Sequence, residues 1–155
     1  MAPDLRQELK QNKPFRTLYE EASLNLKRTS NQLNDEFEQM LKPYGITGTQ
    51  YNVLRILRGA EPNGLCRNEV SDRLINRMPD ATRLLDRMEE AGLVTRARGT
   101  DDRRLVKTHI TPKGLALVDS LDSVVEQQNA KQLSHLSESR LKDLIEILTE
   151  IRNAP

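Results

Sequence analysis

Ala81-Thr82-Arg83-Leu84-Leu85-Asp86-Arg87-Met88-Glu89-Glu90-Ala91-Gly92-Leu93-Val94-Thr95-Arg96-Ala97-Arg98 is the stretch on which the fold turns. Ala81, Leu84, Leu85, Met88 and Ala91 recur at steps of three and four, the apolar stripe of an amphipathic helix. Gly92 stops that helix, and the period then changes to two. Leu93-Val94-Thr95-Arg96-Ala97-Arg98 and Leu105-Val106-Lys107-Thr108-His109-Ile110 are strand-like, and Gly99-Thr100-Asp101-Asp102-Arg103-Arg104 joins them as a hairpin loop. Before the helix, Asn76-Arg77-Met78-Pro79-Asp80 reads as a turn, with Pro79 suited to the first helical position and Asp80 to the positive helix end.

Working outward, Asn68 is placed to cap a short helix whose Val70, Leu74 and Ile75 face inward. Pro62-Asn63-Gly64 is a turn. Thr47-Gly48-Thr49-Gln50 has capping-box form and opens a helix over about 48–59, with Tyr51, Leu54 and Leu57 as its stripe. Short helix, turn, second helix and hairpin make the winged helix-turn-helix layout, in which the second helix enters a major groove and the hairpin reaches flanking DNA.

Helices outside this lobe need a separate reason. Phe15, Tyr19, Ala22, Leu26, Leu33, Phe37 and Met40 predict a long helix over about 13–41, ended by Pro43 and Gly45. Thr111-Pro112 opens a helix through about Gln128, with Leu117, Val118, Leu121, Val124 and Val125 as its stripe. Ser137 caps a last helix carrying Leu141, Leu144, Ile145, Leu148 and Ile151. The first of these is about 42 Å long, more than a winged module covers, so the outer apolar faces are expected to pack against a second copy. A twofold dimer would set two recognition helices about 34–36 Å apart, one turn of DNA. The expected fold is therefore mainly α with a two-stranded β-wing. It is one domain over 1–155, with dimerisation helices at 13–45 and 112–153 and a DNA-binding lobe at 46–111.

Composition agrees with an ordinary globular domain. Of 155 residues, 30% are charged and 36% hydrophobic, with a net charge of +1. That balance excludes intrinsic disorder and a membrane span; the longest apolar run is Leu115-Ala116-Leu117-Val118. MAPDLRQELK has no signal-peptide character, and Cys66, the only cysteine, excludes internal disulfides, so a cytoplasmic location is expected. The net charge conceals a segregation. Residues 55–104 carry eleven basic side chains against nine acidic, and all eleven are arginine, the forked donor suited to phosphates and guanine edges. Phe15, Tyr19, Phe37, Tyr44 and Tyr51 are the only aromatics, which argues against a reader of single strands by base stacking. No phosphate loop, G-x-G-x-x-G or G-x-S-x-G is present, and His109 and His135 suggest no zinc ligand set, so neither an enzyme nor a cofactor is expected.

In the helix from Pro79 to Ala91 the core stripe leaves Asp80, Thr82, Arg83, Asp86, Arg87 and Glu90 on the other faces. Thr82 and Arg83, in the first turns, are the candidates for base edges, and Arg77 for phosphate or base. The competing reading pairs Arg83 and Arg87 with Asp80, Asp86 and Glu90 on a solvated surface. At the hairpin tip, Arg103 and Arg104 suit a narrow, negative minor groove. Asp102 would repel DNA unless neutralised, and is expected to brace the wing by pairing with Arg96, Arg98 or Arg103. Phe15, Tyr19, Tyr44 and Tyr51, with Arg16 or Arg55, either line a pocket for a small aromatic anion or fill the dimer core. Cys66 is either a redox switch or a small buried residue.

Ile46-Thr47-Gly48-Thr49-Gln50-Tyr51-Asn52-Val53-Leu54, Thr82 through Arg96, Asp102-Arg103-Arg104 and Ile110-Thr111-Pro112-Lys113-Gly114 together resemble the MarR family of bacterial transcriptional regulators. The resemblance covers about 15–150 in layout and 46–114 in motif. It implies a homodimer built from the terminal helices, binding a pseudo-palindromic operator on double-stranded DNA. It implies that Asp102 is structural and Arg104 lies in the minor groove, and that the chain is a repressor released by a small aromatic or lipophilic anion. Asn68-Glu69-Val70-Ser71 and Met78-Pro79-Asp80 depart from the commoner family pattern, which leaves the operator sequence open. The alternative function is a helical protein-interaction module that keeps the winged fold without reading DNA.

Overall fold

A computed structural model describes residues 3–155, which cluster into two compact units, one through Pro43 and one over Tyr44–Pro155. In the first, α1 (Leu5–Glu8) is a single turn closed by an Asp4/Gln7 capping box, and α2 spans Leu18–Leu41. The sequence suggested that α2 would begin near residue 13. It begins later because Thr17 is its cap: the Thr17 hydroxyl accepts the Glu20 N–H at 3.1 Å, and the Glu20 carboxylate in turn accepts the Arg16 N–H at 2.6 Å. An ion pair of 3.7 Å between Arg28 and Glu8 ties α1 to α2. Leu18 and Tyr19 are among the most exposed large apolar side chains of the chain.

In the second unit, α3 (Gly48–Ala60) starts at the expected capping box, Thr47 and Gln50 exchanging bonds of 3.2 and 3.0 Å. It is followed by β1 (Leu65–Cys66), α4 (Arg67–Arg73), α5 (Thr82–Glu90), β2 (Val94–Arg98), β3 (Val106–Ile110), α6 (Pro112–Leu133) and α7 (Glu138–Asn153). The sheet is antiparallel with order β1-β3-β2, pairing Leu65 with Thr108 and Val94 with Ile110. The wing is thus anchored by a third strand that the sequence did not reveal, because two residues are too few to show alternation. This is a winged helix-turn-helix.

Four further boundaries differ from expectation. Helix α4 starts one residue before Asn68, with Cys66 at its cap, and ends at Arg73. Ile75 therefore lies beyond it and is 87% exposed rather than inward, while its N–H donates to Asn52 Oδ1 at 2.9 Å. Helix α5 starts at Thr82, so Pro79 and Asp80 precede it instead of occupying its first turn. Helix α6 runs on to Leu133, five residues past Gln128.

The core of this unit is formed by Val53, Leu54 and Leu57 of α3, Val70 of α4, Leu85 and Met88 of α5, Val94 of β2 and Val118 and Leu121 of α6. Gly114 lets α6 approach: a Cβ there would collide with the Leu93 carbonyl oxygen and lie 3.2 Å from Leu54. Gly92 ends α5 in the left-handed region, φ +74°. Arg58 of α3 clamps α6, donating to Asp119 at 2.7 Å and in a two-pronged pair to Asp122 at 2.9 Å. No residue of α7 is buried, and Ile145, Ile147 and Ile151 are exposed. Among the described residues, no helix is long and apolar enough to cross a membrane.

Candidate nucleic-acid interface

Helix α5 carries its charges on the face away from Leu85 and Met88, and Asp86, Glu89 and the preceding Asp80 each have an arginine from elsewhere in the fold, while Glu90 stands exposed without one among the described residues. Arg96, on β2, reaches back across Gly92 to α5: its Nη2 donates to Asp86 Oδ1 at 2.5 Å and to Glu89 Oε1 at 3.0 Å. The Arg96 backbone N–H adds a bond to Glu89 Oε2 at 3.1 Å. The hydrogen bond from Arg96 holds the Glu89 carboxyl below its ordinary range, and the same contacts raise the guanidinium further above its own. At the start of α5, Asp80 Oδ1 accepts the Thr82 hydroxyl at 2.5 Å and its N–H at 2.9 Å. The Thr82 hydroxyl lowers the Asp80 pKa most, and Arg67 lies near enough, at 3.8 Å, to contribute.

With Asp80, Asp86 and Glu89 engaged in this way, α5 leaves Arg83 and Arg87 exposed and outside any ion pair among the described residues. The surface pairing of Arg83 and Arg87 with Asp80, Asp86 and Glu90 considered from the sequence does not form. Arg77, in the turn before α5, is exposed as well.

The wing tip is a compact loop. Gly99 donates to the Leu105 carbonyl at 2.8 Å, Leu105 donates to the Asp102 carbonyl at 3.1 Å, and Asp102 Oδ1 accepts the Arg104 backbone N–H at 2.9 Å. Asp102 thus braces the wing through the backbone of Arg104. It does not pair with Arg96, Arg98 or Arg103: Arg96 is committed to α5, and Arg98 and Arg103 stand exposed. That brace leaves the Arg104 side chain exposed beside a cleft of about 370 Å³ whose lining includes Cys66, Arg67, Leu85, Arg96 and Val106. Cys66 is half-buried there.

The profile of the MarR family matches residues 44–105, from the turn before α3 to the wing loop. The crystal structure of a MarR transcription factor from Planctomyces limnophilus is 36% identical and covers 88% of this chain and 98% of its own, with a TM-score of 0.67. The chain belongs to the MarR family. A second relative in that family's company is the transcriptional repressor CouR of Rhodococcus jostii, solved bound to a 23-mer DNA duplex. It is 26% identical, covering 92% of this chain and 100% of that one at a TM-score of 0.77. The HTH-type transcriptional regulator PrsX of Escherichia coli is 32% identical over 94 residues, 61% of this chain. The alignment spans 57% of PrsX's length.

In this MarR-family chain the aromatic candidates divide between the two units. Phe15 is half-buried and Tyr19 exposed in the first. In the second, Tyr51 belongs to the buried core, Tyr44 is exposed at the turn before α3, and Arg55 is exposed on α3. Sequence reasoning missed Arg67. Its guanidinium Nη1 donates to Thr82 Oγ1 at 3.0 Å, a contact across 15 positions that only the helix-turn-helix crossing creates.

Proposed function

We propose that this MarR-family chain is a homodimeric transcriptional regulator that binds a pseudo-palindromic operator in the cytoplasm and represses what lies beside it. One observation carries the reading. Asp80, Asp86 and Glu89 are paired with Arg67 and Arg96, so the helix that the layout directs into a major groove presents Arg83 and Arg87 outside any ion pair among the described residues. Arg103 and Arg104 extend the same basic surface onto the wing. In this reading Arg83 and Arg87 meet bases and phosphates, Arg77 meets phosphate, and Arg104 enters the flanking minor groove. The duplex bound to CouR supports it by relationship.

The homodimer rests on the apolar face of α7, where Ile145 and Ile151 are 64% and 55% exposed. A second copy is the occupant that also matches a twofold operator. For the effector, a small aromatic or lipophilic anion is proposed, with the exposed Arg55 as a candidate partner for its charge.

Salt titration of binding to the DNA upstream of its own gene tests the reading. A dimer neutralising several phosphates gives log affinity falling linearly with log salt, at about 0.9 per phosphate. A flat response would leave the winged fold as a protein-interaction module.

A further inference from the structure

Asp80 poses an electrostatic problem for a recognition helix. It is exposed immediately before α5, in the same local field as Arg83. A duplex approaching the start of α5 would meet this carboxylate early, and an unpaired carboxylate repels phosphate.

The structure places a closed ring of contacts around it. Asp80 Oδ1 takes both protons of Thr82, from the hydroxyl and from the backbone. Arg67, the first residue of α4, closes the ring: Nη1 donates to the Thr82 hydroxyl oxygen at 3.0 Å while Nε stands 3.8 Å from Asp80. The Thr82 hydroxyl therefore has its proton on Asp80 and a lone pair on Arg67, which leaves it no proton for a base edge. Ala81, at the cap of α5, has no side chain able to cap it, so the Asp80–Thr82 contacts do that work. Arg67 spends one N–H on Thr82 and keeps the rest of its fork, on a side chain 56% exposed.

The geometry points to Arg67 as a positioning residue for operator recognition, which fixes the start of α5 and cancels the Asp80 charge in front of Arg83. This rests on the DNA-binding reading above. Asp80 and Thr82 are then parts of the mount of the recognition helix rather than readers of bases.

A double-mutant cycle separates this role from a plain phosphate contact. The variants are Arg67→Gln, Asp80→Asn and the pair, measured by fluorescence anisotropy on the upstream duplex. Asp80→Asn keeps an oxygen to accept the Thr82 N–H and removes the charge. Arg67→Gln should weaken binding about tenfold or more beside Asp80, and less than about threefold beside Asn. Arg67→Lys, which keeps the charge without the fork, should fall between. Equal losses in both backgrounds, with the salt slope reduced by about 1, would make Arg67 an ordinary phosphate contact and overturn the inference. Amide exchange in the DNA-free protein supplies an independent readout. The first turn of α5 should exchange faster in Arg67→Gln, and unchanged exchange would refute the positioning role. If the unmutated chain binds no duplex, the DNA reading fails, while the exchange result still decides whether Arg67 holds α5.

Discussion

Arg96 Nη2 meets Asp86 Oδ1 at 2.5 Å across the corner where α5 turns into the wing. Glu89, one turn further along α5, takes the same guanidinium at 3.0 Å. One guanidinium nitrogen serves both carboxylates, and Nε adds a longer contact to Glu89 at 3.4 Å. The pair performs two tasks. It ties helix to wing, the two elements that the proposed function sends into adjacent grooves. It also offsets, with one positive charge, part of the negative charge of Asp86 and Glu89 on the helix that bears Arg83 and Arg87.

Arg96→Ala should therefore reduce both stability and DNA affinity. Asp86 and Glu89 lose their partner and stand as bare carboxylates beside the arginines. The thermal midpoint is expected to fall by about 2–4 °C, and operator affinity by about tenfold, which is about 1.4 kcal/mol. Calorimetry and anisotropy check the two effects. A variant that binds normally would show that the corner does not aim the wing.

Arg104→Ala addresses the wing itself. Its side chain is exposed while its backbone is held by Asp102, so removing the side chain leaves the loop intact. Operator affinity should weaken by about 1–3 kcal/mol if the guanidinium lies in the groove, with no change in thermal midpoint. Unchanged affinity would remove the wing from the interface.

These two arginines also mark the limit of what the sequence discloses. The switch from helical to strand-like pattern at Gly92 was visible in Leu85 and Met88 before it and in the run Leu93-Val94-Thr95-Arg96-Ala97-Arg98 after it, and it located the recognition helix and hairpin. Capping signals at Thr47, Thr111 and Ser137 located three helix starts. The start of α5 was misplaced because Pro79 has the right shape for a first helical turn, while the Asp80–Thr82 bonds set the boundary three residues later. Strand β1 is two residues long and is held by pairing with β3, a long-range contact with no local signature. Which acid each arginine takes is likewise decided by helix crossing. Arg96 was one of three arginines, with Arg98 and Arg103, considered as the partner of Asp102 in the hairpin, and instead it reaches α5.

Gly114→Ala tests the docking of α6 on the winged lobe. The added methyl would collide with the Leu93 carbonyl and press on Ile110 at 3.0 Å and Leu54 at 3.2 Å. Backbone cannot yield as a flexible side chain does, so the variant should lose about 1–3 kcal/mol or more in urea denaturation. A stability equal to the parent would mean that α6 sits further from the hairpin than described.

The exposed face of α7 predicts oligomeric state. Ile145→Asp places a charge in the middle of the apolar surface formed with Ile151. Light scattering should report a dimer for the parent and a monomer for the variant. Operator affinity should fall with the dimer, because two half-sites are then bound independently. A variant that stays dimeric would place the interface elsewhere.

Acid should loosen the α3–α6 clamp in a defined direction. Hydrogen bonding to Arg58 holds the Asp122 carboxyl below its ordinary value. A depressed folded-state pKa means that the unfolded chain binds the proton more readily, so unfolding becomes easier as pH falls. The contribution is complete above the unfolded aspartate pKa of about 3.9 and disappears as pH drops through the lower folded value. Asp122→Asn should thus be less stable than the parent from pH 5 to 8, by a constant margin. Below about pH 4 the margin should shrink as the parent's own carboxylate is protonated. Urea midpoints across this range measure it directly. A margin that stayed constant into strong acid would show that the Asp122 charge contributes nothing, and that the clamp holds by shape alone.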